Sequence, residues 1–432
     1  MNILLLNPPN CGRSIPEEKY GITSLKQIFR GEPLALEELA GNLVEHTVRI
    51  VDLKVEPEGL EKALEESFPD IVGLTGVTCE ANTMLKLATR VKEQGKAIVV
   101  VGGIHASIDP EFFNRSCVDY IITGVGKKKF ADLIAAFEQG NEPVPSIPGV
   151  FKTNQGALRG PCVVADSHDD LVEDKPPAYE KIAHYRSHYR LEKLDVNMGF
   201  VASAFGCPFG CSFCCITGQT GGTYLTRSVA SVVRDIRLLE DIPVIRLVDA
   251  NTFGDIKRSH ALSDALINAG IQKQYLADIR SDTVVNHPEM VRKWKKAGLR
   301  AVIIGFEEID DARLDAMNKA NKAAVNTEAI TILKELGITI VGDFVLSPDY
   351  DEGDFERLGS YLDKTQIDLP MITVLTPLPG TSLYQHQKKH IINTDLDYYT
   401  LTNAVTKTKL EEERFYTLYA DLLKQSHNDA RI

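Results

Sequence analysis

The sequence predicts an α/β protein. A doubly wound, Rossmann-like parallel-sheet domain comes first, then a partial (β/α)6 barrel, then a short helical C-terminal region. Three observations predict it. Apolar runs of four to five residues, bounded by Gly, Pro or Asp, alternate with amphipathic stretches, as buried parallel strands and their crossover helices do. The alternation breaks at a proline-rich stretch, residues 142–149, and resumes near residue 196. Three of the eight cysteines stand at Cys-x3-Cys-x2-Cys spacing just where the second series begins.

Taken in order, the first domain spans residues 1–140. Its strands are predicted at 3–6, 48–51, 71–74, 98–101 and 120–122, with helices at 34–44, 59–66, 81–93 and 130–137. Ligands of such sheets sit beyond the carboxyl ends of the strands. Those ends read Asn7-Pro8-Pro9, Thr75-Gly76-Val77-Thr78, Gly102-Gly103-Ile104-His105 and Thr123-Gly124, small and hydroxyl residues that let a large flat ligand approach the backbone. No Gly-x-Gly-x-x-Gly follows the first strand, which argues against a dinucleotide. The segment 19–33 is long for a strand–helix connection and reads either as a cover for the site or as a surface excursion.

Residues 141–195 read as a connector with a short hairpin, packed down by Tyr179, Tyr185 and Tyr189. The second series spans 196–380. Its strands are predicted at 200–204, 244–248, 274–279, 301–304, 338–346 and 371–375, and its helices at 229–239, 260–269, 288–297, 312–317, 327–336 and 353–364. In barrels of parallel strands the site lies at the C-terminal strand ends. Residues 381–432 form a closing region with an amphipathic helix at 410–424, and His386 and His390 there read as surface residues.

The cysteine loop is Cys207-Pro208-Phe209-Gly210-Cys211-Ser212-Phe213-Cys214. Its small and turn-forming residues let three thiolates converge. Thiolates are soft ligands that suit zinc or an iron–sulfur cluster. Cubane clusters normally take four cysteines, so three would leave one iron open to a small molecule. Cys215 reads as a buried structural thiol or an alternate ligand.

These residues resemble the cluster loop of the radical S-adenosylmethionine (SAM) superfamily, with its aromatic before the last cysteine (Phe213) and an apolar strand leading in. Thr220-Gly221-Gly222, residues 224–228, Asp249-Ala250-Asn251-Thr252-Phe253, Gly305-Phe306-Glu307 and residues 376–381 are similar to that superfamily's later phrases, with Ala250 where relatives carry a second Asp. The first domain, through Asn7-Pro8-Pro9 and Gly-Gly-x-His, resembles the cobalamin domain that precedes many such barrels. The Asp-x-His-x-x-Gly cobalt motif is absent, and Lys127-Lys128-Lys129 stands where relatives carry acidic residues.

The resemblance implies the cobalamin-dependent radical SAM methyltransferases. Cys207, Cys211 and Cys214 would hold a [4Fe–4S] cluster. Asp249, Asn251, Arg280, Glu307 and Thr376 would face SAM. Thr75, Gly76, Val77, Thr78, Gly102, Gly103, His105 and Gly124 would line cobalamin, with His105 alternatively a turn histidine or a cobalt ligand. Glu307 would accept the ribose hydroxyls and Arg280 would face the SAM carboxylate or another acid. One SAM would remethylate cobalamin and a second would give the 5′-deoxyadenosyl radical, so that methylcobalamin methylates an unactivated sp3 carbon. Tyr224 and the tail tyrosines are candidate proton or radical partners. The organisation resembles the enzymes that methylate a protein glutamine of methyl-coenzyme M reductase. A protein or peptide substrate is therefore expected, with a small natural product or lipid, or a non-methylating cyclisation or oxidation, as alternatives.

Composition excludes other classes. A net charge of −12 disfavours a nucleic-acid partner, which needs a basic surface. No apolar run reaches bilayer length, and the start lacks a signal peptide's basic and cleavage regions. The scattered cysteines fit a reduced, cytoplasmic, oxygen-poor setting. A monomer served by a flavodoxin or ferredoxin is expected.

Overall fold

The computed structural model describes all 432 residues except 24–30, 141–143, 154–155, 159–165, 192–195, 221 and 429–432. Parts of the 19–33 connection, the proline-rich break, the hairpin, Gly221 and Cys162 thus lie outside the described residues.

The first sheet has strands β1 (Asn2–Asn7), β2 (Thr47–Asp52), β3 (Ile71–Thr75), β4 (Ile98–Gly102), β5 (Tyr120–Ile122) and β6 (Val150–Lys152), in the order β2-β1-β3-β4-β5-β6. All pairs are parallel except β5 with β6. Its helices are α1 (Ile15–Tyr20), α2 (Leu34–Gly41), α3 (Gly59–Glu66), α4 (Ala81–Gln94), α5 (Ile104–Ile108) and α6 (Gly126–Glu138). β1 shows why the strands read as unbroken apolar runs. Ile3 and Leu5 pack with Leu36, Phe130 and Ile134 on one face, and Leu4 and Leu6 with Leu60, Met84 and Val91 on the other. Each such side chain contributes about 1.5–3 kcal/mol by leaving water.

A 3-10 run, Tyr179–His188, links the domains. Its tyrosines are pinned as the sequence predicts. Tyr179 donates to the Phe200 carbonyl at 3.0 Å, Tyr185 to Glu56 at 2.6 Å and Tyr189 to buried Asp52 at 2.8 Å.

The second sheet runs β15-β14-β13-β12-β11-β8-β7. Its members are β7 (Arg190–Leu191), β8 (Val196–Val201), β11 (Val244–Leu247), β12 (Gln274–Ile279), β13 (Leu299–Glu307), β14 (Thr339–Leu346) and β15 (Leu369–Val374). β7 is antiparallel and the other six are parallel, a half-barrel. Ile245, Ala277, Ile304, Phe344 and Ile372 bury one face under α8 (Val229–Leu238), α9 (Ile256–Asn268), α11 (Pro288–Ala297), α13 (Ala323–Glu335) and α14 (Glu352–Thr365). The alternate residues Arg246, Asp278, Gly305, Asp343 and Met371 face the lumen. Shorter helices are α7 (Ile216–Thr220), α10 (Ser281–Asn286), α12 (Asp311–Ala316) and α15 (Ser382–Gln387), and α16 (Glu412–Asn428) ends the described chain. α16 docks through Phe415 against Phe355 and Tyr419 Oη on the Ile372 carbonyl, at 2.7 Å.

One element differs from the sequence reading. The predicted strand 200–204 is two strands: β8 ends at Val201, and β9 (Ala204–Gly206) leaves the sheet to pair antiparallel with β10 (Tyr224–Thr226). The break has a cause. Asp249 accepts from Ser203 N, Ser203 Oγ and Ala204 N at 2.6, 2.6 and 2.8 Å, which removes those donors from the sheet ladder.

The domains are joined by buried charges. Glu38 of α2 accepts from Lys127 of α6 at 2.5 Å and from Arg227 at 3.1 Å, and Arg227, 1% exposed, also pairs with Asp235 at 2.7 Å. Two of the three lysines are therefore internal: Lys129 likewise pairs with Asp166 at 2.6 Å, while the Lys128 side chain is 45% exposed. Arg227→Met will leave Glu38 with Lys127 and Asp235 with Arg234, so it should cost about 3 kcal/mol, the low end for a broken buried pair. Urea unfolding of the variant checks this.

Candidate active site

The cysteine loop projects from β9 at the C-terminal end of the half-barrel. Four contacts anchor the loop. Ser212 N donates to the Met317 carbonyl at 2.9 Å, and Asn318 Nδ2 to the Gly210 carbonyl at 2.6 Å. Leu383 N of α15 donates to the Ser212 carbonyl at 2.8 Å, so the tail crosses the open side of the barrel to reach the loop. Arg280 lies 3.7 Å over the Phe209 ring.

Cys207, Cys211 and Cys214 are free and half-buried. Among the described residues no three His, Cys, Asp or Glu side chains are grouped to hold a single metal ion. Burial pushes the Cys214 thiol up to about 12 and raises Cys211, with Lys319 and Arg280 opposing the rise at Cys211. A coordinated metal deprotonates such thiols outright. Three thiols on one anchored loop fit the expected cluster.

The strand ends divide into two kinds. Asn251 is 2% exposed and neither atom of its amide has a partner among the described residues, the condition of a group awaiting a ligand. Glu307, at φ 63°, gives one oxygen to Lys319 at 2.6 Å, and its other oxygen has no partner among the described residues. Positive φ in a buried Glu is strain of the kind held at functional sites. Both fit the SAM-facing role. The other three make contacts within the protein. Asp249 clasps residues 203–204. Arg280 forks onto Asp282, at 2.9 Å, and donates to the Lys319 and Ala320 carbonyls. Thr376 Oγ1 lies 3.0 Å from the Val374 carbonyl and 3.4 Å from that of Asn403.

In the lumen, Arg246 pairs with Asp278, whose carboxyl burial pushes up to about 6. Asp343 sits above it, opposite Gly305, and is driven well above the carboxylate range by burial and by Glu307 and Asp278. Sequence reading assigned no role to Arg246, Asp278 or Asp343; their polarity within apolar strands was the available signal. Tyr224 is a strut, donating to the Asn251 carbonyl at 2.9 Å, and Tyr416 and Tyr419 also hold backbone.

At the strand ends of the first sheet lies a cavity of about 160 Å³. Thr75, Gly102, Gly103 and Gly124 line it as predicted positions, with Val100, Ile122 and Phe130. The glycines form a cradle. A Cβ at Gly103, φ 92°, would come 2.5 Å from Thr75 Oγ1, and one at Gly124, φ 72°, 2.5 Å from Asp166. Apolar walls and bare backbone suit a flat, apolar portion of cobalamin, the whole of which is larger than this cavity. Gly76, Val77 and Thr78 lie at the end of β3 but outside this wall, where a Cβ at Gly76 would strike Met84. His105 is not in the wall either. Its ring is fully buried edge-on against Phe112 and Phe113, centroids 5.1 and 5.6 Å away, with neither nitrogen bonded among the described residues. Burial lowers it to about 4.

The comparisons agree with this geometry. A sequence family described as the B12 binding domain matches residues 25–134, and the radical SAM superfamily matches 201–362. The chain is 28% identical over 401 residues to hopanoid C-3 methylase of Methylococcus capsulatus, covering 90% of this chain and 75% of that one. It is 27% identical over 387 residues to the anaerobic magnesium-protoporphyrin IX monomethyl ester cyclase of Cereibacter sphaeroides, covering 86% and 61%. The solved structure of the radical SAM methyltransferase TsrM of Kitasatospora setae, with tryptophan substrate and a SAM analogue bound, shares the fold, with TM-score 0.75, 17% identity and 98% and 89% coverage. The chain is a cobalamin-binding enzyme of the radical SAM superfamily. Its cofactors are a [4Fe–4S] cluster, SAM and cobalamin. No described helix is long and apolar enough to cross a membrane.

Two outcomes test the site. Replacing Cys207, Cys211 and Cys214 by Ala will remove the iron and acid-labile sulfide of anaerobically reconstituted protein, whereas Cys215→Ala will retain both; iron and sulfide analysis distinguishes them. His105, neutral when folded, titrates near 4 rather than the 6.5 of an unfolded chain. The unfolded state therefore binds more protons between those values. Stability should fall by up to about 3 kcal/mol as pH drops through that window. Urea melts between pH 7 and 4.5 should show a shallower decline in His105→Leu.

Proposed function

We propose that this enzyme transfers a methyl group to an unactivated sp3 carbon of a small molecule. One observation carries the reading: Gly206, bonded to the first cluster cysteine, is also a wall of the glycine-cradled cavity of the B12 domain. The two cofactor sites are neighbours, as successive hydrogen removal and methyl delivery on one carbon require. When bound, cluster and SAM supply a radical able to take hydrogen from such a carbon, and cobalamin supplies the methyl group. The chain's own residues bind and orient. Cys207, Cys211 and Cys214 hold the cluster, Asn251 and Glu307 receive SAM, and the lumen with Arg246, Asp278 and Asp343 shapes the substrate chamber. A flavodoxin or ferredoxin fits the need for one-electron reduction.

The named relatives act on a hopanoid and a magnesium porphyrin, and TsrM was solved with tryptophan. These names support a small molecule over the protein glutamine that the chain's organisation resembles. The identity to a cyclase supports a second reading, radical ring closure with cobalamin bound.

Methyl-labelled SAM with reductant and the cobalamin-loaded, cluster-loaded enzyme separates the two. Methyl transfer predicts both S-adenosylhomocysteine and 5′-deoxyadenosine, the first lost without cobalamin and the second lost in the triple-cysteine variant. Formation of 5′-deoxyadenosine alone would sink the methyltransferase reading in favour of ring closure.

A further inference from the structure

The chain carries a net charge of −12, yet one surface gathers lysines. It is a groove of about 590 Å³ beside the C-terminal ends of β14 and β15. Helix α15 runs into a 3-10 turn, Lys388–His390. A single antiparallel bridge, Ile391 to Thr406, with Ile392 N on the Val405 carbonyl at 2.9 Å, brings Lys407 beside that turn. Lys389, His390 and Lys407 line the groove with Leu375, Pro377 and Ile392, and Ile392 is 65% exposed.

Charge is sorted across this segment. Its acids turn to the first domain: Asp395 pairs with Arg13 at 3.6 Å, and Asp395 and Asp397 both accept from Asn82 of α4. Its lysines turn to solvent. Of the acids near them, Asp349 is taken by Arg313 at 2.6 Å and Asp351 by Lys409 at 2.9 Å, and half-buried Asp109 lies within electrostatic reach of Lys388. Lys388, Lys389 and Lys407 are exposed and enter no ion pair among the described residues. Gathered in this way they repel one another, so the fold gains nothing from their grouping.

The groove is also tied to the cluster loop. Leu383, one of its walls, donates its N–H to the Ser212 carbonyl at 2.8 Å, and Ser382 Oγ donates to the same carbonyl at 3.1 Å. Ser212 is bonded to Cys211. One hydrogen bond and a few covalent bonds thus separate the groove wall from a cluster ligand.

We propose that this groove docks an acidic one-electron carrier protein that reduces the cluster. One electron leaves the carrier and enters the cluster, and no bond forms or breaks. This docking role rests on the radical SAM reading and goes beyond it, since it assigns the surface the carrier uses. An acidic carrier is repelled by a chain of net charge −12 except where the local charge is reversed. Opposite local charge steers the encounter and fixes its orientation. Electron-transfer encounters bury little surface, below about 1,200 Å², so a patch of this kind is large enough. Ile392 and Pro377 amid lysines supply an apolar centre with a charged rim.

The test uses cluster-loaded protein with SAM and a reduced, acidic bacterial flavodoxin as sole donor. Stopped-flow absorbance times flavodoxin oxidation, and chromatography quantifies 5′-deoxyadenosine. The triple variant Lys388→Glu, Lys389→Glu, Lys407→Glu should slow flavodoxin oxidation by about tenfold or more, the lower range of electrostatic steering. The wild-type rate should fall steeply with added salt and the variant's should not. Dithionite needs no docking surface, so with it both proteins should form 5′-deoxyadenosine equally. Lys→Arg at the same three positions should keep the flavodoxin rate. Arg292→Glu, Lys296→Glu, Arg300→Glu changes the net charge identically on exposed residues at the opposite end of the barrel, and should keep most of it.

An unchanged flavodoxin rate in the groove variant, or equal slowing in the opposite-end variant, would overturn the proposal and leave the radical SAM reading intact. So would binding to phosphatidylglycerol vesicles that is lost in the groove variant while its flavodoxin rate is kept, which would make the groove a membrane-surface site. Absence of 5′-deoxyadenosine from wild-type protein with dithionite would instead overturn the radical reading itself.

Discussion

Much of the active-site geometry depends on the Asp249 carboxylate. It accepts three hydrogen bonds from Ser203 and Ala204 at 2.6–2.8 Å, in a site 2% exposed to solvent. Hydrogen bonds to a buried charge contribute about 1.5–3 kcal/mol each, enough to decide a local choice between two backbone paths. Without them Ala202–Gly206 would extend β8 as an apolar strand. With them the chain turns out of the sheet and runs toward the first domain. Gly206 completes the turn at φ 78°, where a Cβ would meet the Thr223 carbonyl at 2.0 Å. The cysteine loop thus starts between two sheets rather than above one.

That position is useful only if the sheets keep their relation, and buried charge at the joint fixes it. Glu38, Lys127, Arg227 and Asp235 form one chain of ion pairs across α2, α6 and the barrel. Glu32, pushed up to about 7 by burial, takes Arg186 and the Phe200 amide in a second crossing. An apolar joint of equal volume could match such pairs in stability. What ion pairs add is direction, because each has one satisfactory geometry. Lys127 and Glu38 also line the shared cavity, so the residues that orient the domains help shape the space between them.

Most of the fold was legible because parallel strands buried on both faces leave continuous apolar runs, and β3, β5 and β12 begin where those runs begin. The cysteine loop was legible because its spacing is chemistry rather than packing. Three things were not. The break after Val201 is invisible locally, since Ala-Ser-Ala-Phe-Gly is compatible with strand, and its cause lies 46 residues away in Asp249. The burial of Lys127 and Lys129 was not legible either, because a lysine carries no mark of its partner, and Glu38 and Asp166 are distant in sequence. His105 has the spacing of a ligand histidine, yet α5 turns it into an aromatic pocket with Phe112 and Phe113. Asp249, Arg280 and Thr376 sit at the predicted strand ends, but position does not show whether a side chain faces a ligand or a neighbour.

This last point bears on how such an enzyme works. In acid–base catalysis the strand-end residues must change protonation, so they are kept partly free. Here most are tied to one another: Arg280 to Asp282, Asp249 to Ser203, Tyr224 to the Asn251 backbone, with the Tyr224 hydroxyl driven further from ionisation by burial. A radical reaction asks little proton transfer of its protein and much geometric constancy, because the reactive carbon must meet hydrogen acceptor and methyl donor in turn at short range. A ring of mutually bonded struts supplies that constancy. The groups left without partners among the described residues, Asn251 and one oxygen of Glu307, are then the places where the ring is open for a ligand rather than imperfections in it.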